Sequence, residues 1–179
     1  FHTASMPDYV YMYPIPYDMY EKYAIRRYGA HGTSHRYVAG ECVKLLGGKP
    51  EGTKVVTCHL GNGSSISAVK DGRVLDTSMG FTPLAGVEMG TRCGDIDPAI
   101  VPFIMNKTGM TPDEMNEFLN KKCGFLGVSG VSSDCRDVSG AAKEGNDHAR
   151  LALDILVYQI KKYIGAYAAV MGGLDAIVF

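Results

Sequence analysis

Three short apolar-rich runs near the middle of the chain predict an antiparallel β-meander. The runs span residues 54–59, 64–69 and 72–76. Gly61-Asn62-Gly63 and Asp71-Gly72 stand between them, and both are strong hairpin signals because these residue types tolerate positive φ. A further apolar run at 175–179 predicts a buried strand near the C-terminal end.

Five segments carry helical signals. They span about residues 34–46, 98–105, 111–122, 138–143 and 147–171. Thr33 or Ser34 is predicted to cap the first of them. Residues 111–114 form a capping box with proline at the first helical position, and the last segment repeats apolar residues about every 3.6 positions until Gly172-Gly173 ends it. A meander followed by helices and another strand is an α/β pattern.

The opening segment and residues 79–97 show neither the alternation of a strand nor the 3.6-residue repeat of a helix. Pro7, Pro14 and Pro16 argue against a helix in the tyrosine-rich opening, so we expect extended backbone there with its aromatic rings laid on a core. Residues 79–97 contain four glycines, and a loop this long inside a compact domain is usually functional. Its apolar content predicts that the loop is ordered.

Composition limits the class of protein. The 179 residues, with 18 basic and 19 acidic side chains, suffice for one core and carry no excess charge that would hold nucleic acid or an anionic membrane. No apolar run approaches the roughly 20 residues of a membrane span. Five scattered cysteines favour reduced thiols in the cytoplasm over a disulfide framework. We also expect a fragment, because the chain starts at Phe1 without a leader and stops at Phe179 inside a strand pattern.

The Gly61-Asn62-Gly63 turn carries more glycine than a hairpin needs. A second glycine before Asn-Gly removes side chains from both sides and leaves backbone N–H groups open to phosphate oxygens. His59 and Asn62 would add side-chain donors, and Ser64 or Ser65 a hydroxyl. The alternative is a plain tight turn beside a structural histidine.

Arg92 lies in the glycine-rich loop between Gly90 and Gly94. A guanidinium among glycines can approach a carboxylate or phosphate through two parallel hydrogen bonds, although most arginines are simply exposed. Asp95 and Asp97 would either orient Arg92 or hold a cation, and two carboxylates on a loop are weak evidence for a metal. We therefore assign no metal ligand.

His31 and His35 are four residues apart, a spacing that also occurs in zinc sites. Because the predicted cap follows His31, this residue lies before the helix, and no third ligand is evident. We interpret His31 as a hydrogen-bond donor beside the helix N-terminus, where anions are favoured. A purely structural histidine is the alternative.

Asp134 and Arg136 follow a Ser-Ser pair that can cap the next helix. One interpretation is a cap with a solvated charge, and the other is a ligand contact. Local chemistry leaves both open.

Four sequence blocks identify a resemblance to a known family. They are YGAHGTSHRYV, HLGNGSSISAVKDGRVLDTSMGFTPLAGVEMGTRCGDIDP, GVSSDCRDV and DAIVF, in this order. With them the chain resembles the acetokinase family over essentially its whole length. The resemblance implies a ribonuclease H-like α/β fold of the actin, hexokinase and Hsp70 ATPase type. It also implies reversible phosphoryl transfer from ATP to acetate, assisted by Mg²⁺, that yields ADP and acetyl phosphate.

The resemblance also implies roles for residues of these blocks. His31 helps to hold the phosphoryl group in flight, and Arg92 binds the acyl carboxylate and steadies the transition state. Phosphate contacts fall on His59, Asn62 and Gly63 of the turn block, and the turn itself adds Gly61 and Ser64 as candidates.

The remaining implied contacts concern the two ends of the substrates. Pro83 lines the pocket for the acetate methyl group, and Asp134 and Arg136 match contacts on the adenosine side. Ala30 stands where some family members carry Phe, which implies a wider acyl pocket. Propionate or butyrate kinase is therefore an alternative activity within the family.

Residues 1–179 resemble the front part of the C-terminal nucleotide-binding domain of a two-domain kinase. The family's catalytic Asp, a second arginine and a metal-binding Glu have no counterpart here, so we expect the isolated chain not to turn over. The resemblance further implies a homodimer formed through this domain. Charge and hydropathy predict no nucleic-acid or membrane partner, and the cysteines predict a cytoplasmic location. A different class of protein, a non-catalytic ATP-binding or dimerising module, would keep the phosphate turn and lack the chemistry.

Overall fold

Four strands of the computed structural model form one mixed sheet in the order β3-β2-β1-β4. β1 (Lys54–Leu60), β2 (Ser64–Lys70) and β3 (Arg73–Thr77) are antiparallel neighbours, and β4 (Ala176–Val178) pairs parallel to β1. The structure describes residues 2–179, so Phe1 lies outside the described residues. The predicted meander and the later strand are confirmed. β4 is shorter than expected, and the prediction that it is buried was wrong, because it lies at the edge of the sheet and Ile177 is 41% exposed.

Helices cover much of the rest of the described chain. They are α1 (His2–Ser5), α2 (Asp8–Tyr11), α3 (Tyr17–Tyr23), α4 (Gly32–Leu45), α5 (Ile100–Thr108), α6 (Pro112–Lys121), α7 (Gly124–Ser129), α8 (Cys135–Lys143) and α9 (Asp147–Met171). The five predicted helices correspond to α4, α5, α6, α8 and α9. The capping box is confirmed, because the Thr111 side chain accepts from the Glu114 backbone N–H and the Glu114 carboxylate accepts from the Thr111 N–H.

The prediction of extended backbone in the opening segment was wrong. α2 and α3 begin directly after Pro7 and Pro16, which occupy their N-cap positions. Proline lacks an N–H and has a fixed φ, both of which are tolerated at a helix start, so here it delimits short helices. The tyrosines are not uniformly on a core either, since Tyr9 is 80% exposed and Tyr17 63% exposed.

α7 was not predicted, because its six residues contain two glycines and no apolar period. The loop of residues 79–97 supplies acceptors for the first N–H groups of this helix. The N–H of Phe125 donates to the Met89 carbonyl and that of Leu126 to the Gly90 carbonyl, each at 3.0 Å. Tertiary hydrogen bonds therefore stabilise a helix whose own sequence does not favour one.

The described residues form two compact units. The first contains residues up to 60, 64–86 and 160–179, and its core is the sheet with α4 packed on it through Ala39 and Cys42. The second contains residues 61–63 and 87–159. Its core is a cluster from α7, α8 and α9, formed by Phe125, Val138, Ala142, Ala149 and Ala152.

Residues 79–97 contain no helix or strand, as predicted. The loop is nevertheless well packed, because Met79 and Val87 are fully buried and Met89 is 1% exposed. Among the described residues, no helix is long and apolar enough to cross a membrane.

Candidate active site

His31, His35 and His59 meet at the start of α4 in the first unit, and the ring of His2 lies beside them, 5.3 Å from that of His35. His31 is the N-cap of α4, with a left-handed φ of 59°, and its ring stacks on His59 of β1 with centroids 4.0 Å apart. His31 therefore stands at the helix start, but the predicted cap was wrong. Ser34 does not cap the helix, and its hydroxyl lies 2.9 Å from Nδ1 of His59.

Hydroxyl groups link the histidines to the sheet. Oγ of Ser65 lies 2.8 Å from Nδ1 of His31 and 2.7 Å from Nε2 of His35. Nδ1 of His35 lies 2.7 Å from Oγ1 of Thr57. Both ring nitrogens of His35 are therefore held by buried hydroxyls on β1 and β2.

His35 is fully buried. Burial and, to a lesser degree, the neighbouring histidines lower its pKa to about 3, so the ring is neutral near pH 7. The histidines do not form a metal site. Within residues 2–179, no group of three or more His, Cys, Asp or Glu side chains is placed to hold a metal ion.

The bend of residues 61–63 lies against the loop that carries Arg92, within the second unit. The N–H of Gly90 donates to the Asn62 carbonyl at 3.3 Å. The N–H of Gly61 donates to the Gly63 carbonyl at 3.3 Å, so this amide is engaged inside the bend.

Gly90 is where two of the sequence blocks meet, the long block that contains Asn62 and Arg92 and the GVSSDCRDV block. A Cβ at this position would collide with Oδ1 of Asn62 and lie 2.8 Å from the carbonyl oxygen of Ser133. Glycine is required by this close approach. The bend, the Arg92 loop and the segment leading to Asp134 are thus brought together in the second unit.

Arg92 is half-buried, and Nη1 lies 3.7 Å from Sδ of Met89. Its loop is closed by the N–H of Met89, which donates to the Arg92 carbonyl at 3.2 Å. Asp97 accepts from the N–H of Ala99 at 2.9 Å, so this carboxylate supports the start of α5.

Asp134 is the N-cap of α8, a role predicted for the preceding Ser-Ser pair. Its Oδ1 accepts from the N–H of Arg136 at 2.8 Å, and its Oδ2 accepts from Nη2 of Arg136 at 2.6 Å. The bound guanidinium and the N–H lower the pKa of Asp134 to about 2. The Arg136 side chain is 90% exposed, so the pair faces solvent.

The segments that carry Ala30 and Pro83 are neighbours in the first unit. The N–H groups of Tyr28 and Gly29 donate to the Gly80 carbonyl at 3.0 and 3.1 Å. The Ala30 carbonyl accepts from Nε2 of His2 at 2.6 Å. Pro83 is exposed and Ala30 half-buried.

Comparison with known proteins decides the family. The model of the acetokinase family matches residues 1–179. The chain belongs to the acetokinase family. It is 62% identical to the acetate kinase of Moorella thermoacetica over 179 residues, which are all of this chain and 45% of that protein. It thus spans less than half of the length of such curated relatives.

Solved structures support the same assignment. The crystal structure of Porphyromonas gingivalis acetate kinase matches 98% of this acetokinase chain, at 52% identity and a TM-score of 0.95, and 44% of its own chain is covered. A propionate kinase from Francisella tularensis matches 98% of the chain at 45% identity and a TM-score of 0.93, with 45% of its own chain covered. The predicted actin/Hsp70-like fold is confirmed.

The sequence left open whether Ser64 or Ser65 supplies a hydroxyl beside the turn of this acetokinase chain. In the structure it is Ser65 that contacts the rings of His31 and His35. His59 of β1 pairs directly with Ser65 of β2, and cross-strand partners point to the same face. The register of the Gly61-Asn62-Gly63 hairpin is the signal that distinguishes the two serines.

Glu88 was also overlooked. It is 2% exposed, and its carboxylate oxygens make no hydrogen bond within the described part of the chain. Burial raises its pKa to about 7. The side chain lines a cavity of about 480 Å³ in the second unit, together with Cys93, Phe118 and Cys123.

Proposed function

We propose that this chain is part of an enzyme that transfers the γ-phosphoryl group of ATP to a carboxylate oxygen of acetate. The products are acetyl phosphate and ADP, and the reaction is reversible. Membership of the acetokinase family supports the reaction class. The observation that carries the proposal for this chain is the close approach of the Asn62 bend, the Arg92 loop and the segment before Asp134 at Gly90.

The proposed chemistry matches the side chains available. In the reaction a bond forms between an acetate oxygen and the γ-phosphorus, and the bond to the β–γ bridging oxygen breaks. Negative charge spreads over the equatorial oxygens of the transferred group, so catalysis consists mainly of positioning and donation of positive charge. We assign the positive charge to Arg92 and a ring N–H hydrogen-bond donor to His31, with His59 and Asn62 on the nucleotide phosphates.

The residues that contact the acetate and the adenosine ends of the substrates are assigned as the resemblance implies. Arg92 also binds the acetate carboxylate through its planar fork, and Pro83 and Ala30 line the methyl pocket. Asp134 and Arg136 contact the adenosine side, which their exposure at the start of α8 allows.

The described residues do not by themselves fit a magnesium site. We therefore assign no ligand to Mg²⁺ and no step to it. Magnesium in kinases is held largely by phosphates and water, and it would neutralise phosphate charge when bound with the nucleotide.

Propionate is the second candidate acceptor. The propionate kinase from Francisella tularensis is a close structural match, and Ala30 is a small residue on the segment next to that of Pro83. One methylene changes the transition-state energy by only about 1–3 kcal/mol. Values of kcat/KM for acetate, propionate and butyrate, for wild type and Ala30→Phe, will rank the acceptors, and we expect the variant to lose the longer ones first.

We further propose that residues 1–179 form the front of a nucleotide-binding domain and that the enzyme is a cytoplasmic homodimer. Exposed apolar side chains on α9 support pairing, with Leu151 52% and Tyr158 67% exposed. Light scattering on a full-length enzyme that carries this sequence will test the dimer. The variant Leu151→Glu/Tyr158→Glu should shift it to monomer, and an unchanged mass would exclude this face.

The test of the activity is trapping of acetyl phosphate with hydroxylamine in the same full-length enzyme. We expect ATP-dependent product from wild type and a fall in kcat of about 10³-fold for Arg92→Ala. Arg150→Ala, which removes an exposed arginine from α9, is the matched control and should not change kcat. ATP binding without acetyl phosphate would refute the kinase and favour the non-catalytic module. Normal turnover of Arg92→Ala would refute the role of Arg92.

A further inference from the structure

The Ser65 hydroxyl stands between two histidine ring nitrogens. It lies 2.8 Å from Nδ1 of His31 and 2.7 Å from Nε2 of His35. A hydroxyl has a single proton, so it donates to one ring and accepts from the other. The proton position on one histidine therefore depends on the proton position on the other.

His35 provides a fixed end for this chain of hydrogen bonds. The residue is fully buried, and Thr57 holds its other nitrogen at 2.7 Å. His31 provides the variable end, because it is half-buried at the start of α4 and its ring plane is set by the stack on His59.

We propose that Ser65 and His35 are positioning residues that set the tautomer of His31 and present its Nε2–H as a hydrogen-bond donor. The inference rests on the proposed function in one respect, that Nε2 of His31 is the atom that meets the transferred phosphoryl group. Neither residue is assigned a contact with substrate.

Two proton arrangements satisfy all three contacts. In the first, Nε2–H of His35 donates to Ser65, and the Ser65 O–H donates to Nδ1 of His31. A neutral His31 then carries its proton on Nε2. In the second arrangement every bond is reversed, and Nε2 of a neutral His31 is a bare lone pair that repels phosphoryl oxygens.

The surroundings favour the first arrangement for work on an anion. It supplies a hydrogen-bond donor without placing a positive charge on His31. That ring stacks on the His59 ring with centroids 4.0 Å apart and lies 6.4 Å from the His35 ring. A preorganised neutral donor needs no proton uptake before each turnover. Loss of either positioning residue would free the His31 ring to adopt the other tautomer.

The first experiment uses two pairs of variants of the full-length enzyme. Ser65→Ala breaks the relay, that is, the hydrogen bonds from His35 through Ser65 to His31. Ser67→Ala is the control, because it removes a buried serine two residues along the same strand whose hydroxyl lies 2.8 Å from that of Thr77. His35→Gln places an amide nitrogen near the position of Nε2 and keeps the contact with Ser65. His35→Asn reaches only the position of Nδ1 and loses that contact.

We expect Ser65→Ala and His35→Asn to lower kcat by about 10- to 100-fold with little change in KM. Ser67→Ala and His35→Gln should stay close to wild type. Because the two residues act in one chain, the double variant Ser65→Ala/His35→Asn should be no worse than the poorer single variant. Equal losses in Ser65→Ala and Ser67→Ala, or in folded His35→Gln and His35→Asn, would overturn the relay.

A second measurement separates the relay from the proposed reaction. Nitrogen NMR of histidine-labelled enzyme reports the tautomer of His31 without any substrate. We expect the Nε2–H form in wild type and a shift toward the Nδ1–H form in Ser65→Ala. An unchanged tautomer would overturn the relay even if the enzyme makes acetyl phosphate. The expected shift in an enzyme that lacks turnover would uphold the relay and refute the function.

Discussion

Gly124 offers a way to displace the Arg92 loop without touching Arg92. It lies at the start of α7 with a φ of +60°, and a Cβ there would collide with the Met89 carbonyl oxygen and lie 2.8 Å from that of Arg92. Gly124→Ala therefore has to push the loop away from α7. The matched control is Gly109→Ala, because Gly109 has a φ of +75° and nothing within 4 Å of its Cβ.

The magnitude follows from two separate costs. A left-handed conformation costs a residue with a Cβ about 1–2 kcal/mol, which both variants incur. Overpacking adds about 1–3 kcal/mol, which only Gly124→Ala incurs. We expect a loss of free energy of unfolding of about 2–5 kcal/mol for Gly124→Ala and about 1–2 kcal/mol for Gly109→Ala.

Urea denaturation and the hydroxylamine assay on the full-length enzyme will measure both consequences. Misplacement of a catalytic group by about 1 Å can cost about 10²-fold, so we expect kcat of Gly124→Ala to fall by that order while Gly109→Ala keeps wild-type turnover. If the two variants lose the same stability and both keep their kcat, the contact between α7 and the loop does not position Arg92, and this reasoning is wrong.

Three further predictions concern stability and are read from urea denaturation. Burial lowers the pKa of His35 from 6.5 to about 3, so between these pH values the unfolded chain binds more protons than the folded chain. The free energy of unfolding should therefore fall with decreasing pH by up to about 5 kcal/mol. His35→Gln should lack this pH dependence, and an equal slope in wild type and variant would contradict the role of His35. Burial raises the pKa of Glu88 from 4.5 to about 7, so stability should fall with increasing pH over that window by up to about 3 kcal/mol. Glu88→Gln should therefore gain most above pH 7, and no gain would show that the carboxylate is solvated or paired. Thr111→Ala should cost about 1 kcal/mol through loss of the α6 cap, whereas Thr111→Ser should cost little; equal costs would implicate the methyl group.

α7 could not be predicted because its formation depends on partners distant in the chain. α7 forms because the Met89 and Gly90 carbonyls accept from its first amides. No signal inside residues 124–129 reports those acceptors. The opening segment differs from its prediction for another reason, because Pro7 and Pro16 stand at N-cap positions and limit where helices begin without excluding them.

Local chemistry was enough to determine many features of this chain. The α6 capping box closes within four residues, and Asp71-Gly72 makes its hairpin with positive φ at both positions. Both features depend only on residues that are close together in the chain, so the sequence alone contains the interacting residues and their spacing. The family was likewise evident from the order and content of the four blocks, and it was confirmed by comparison.

Only the tertiary structure decided how the candidate site is assembled. Ser65 reaches His31 across 34 residues and His35 across 30, and Gly90 touches both Asn62 and Ser133. These contacts depend on strand register and on the path of the 79–97 loop. A one-residue change of register would turn Ser64 toward the histidines in place of Ser65. The sequence alone therefore identifies the candidate site residues, but only the fold decides which of them lie side by side. Local signals allow more than one strand register, and long-range packing selects one of them.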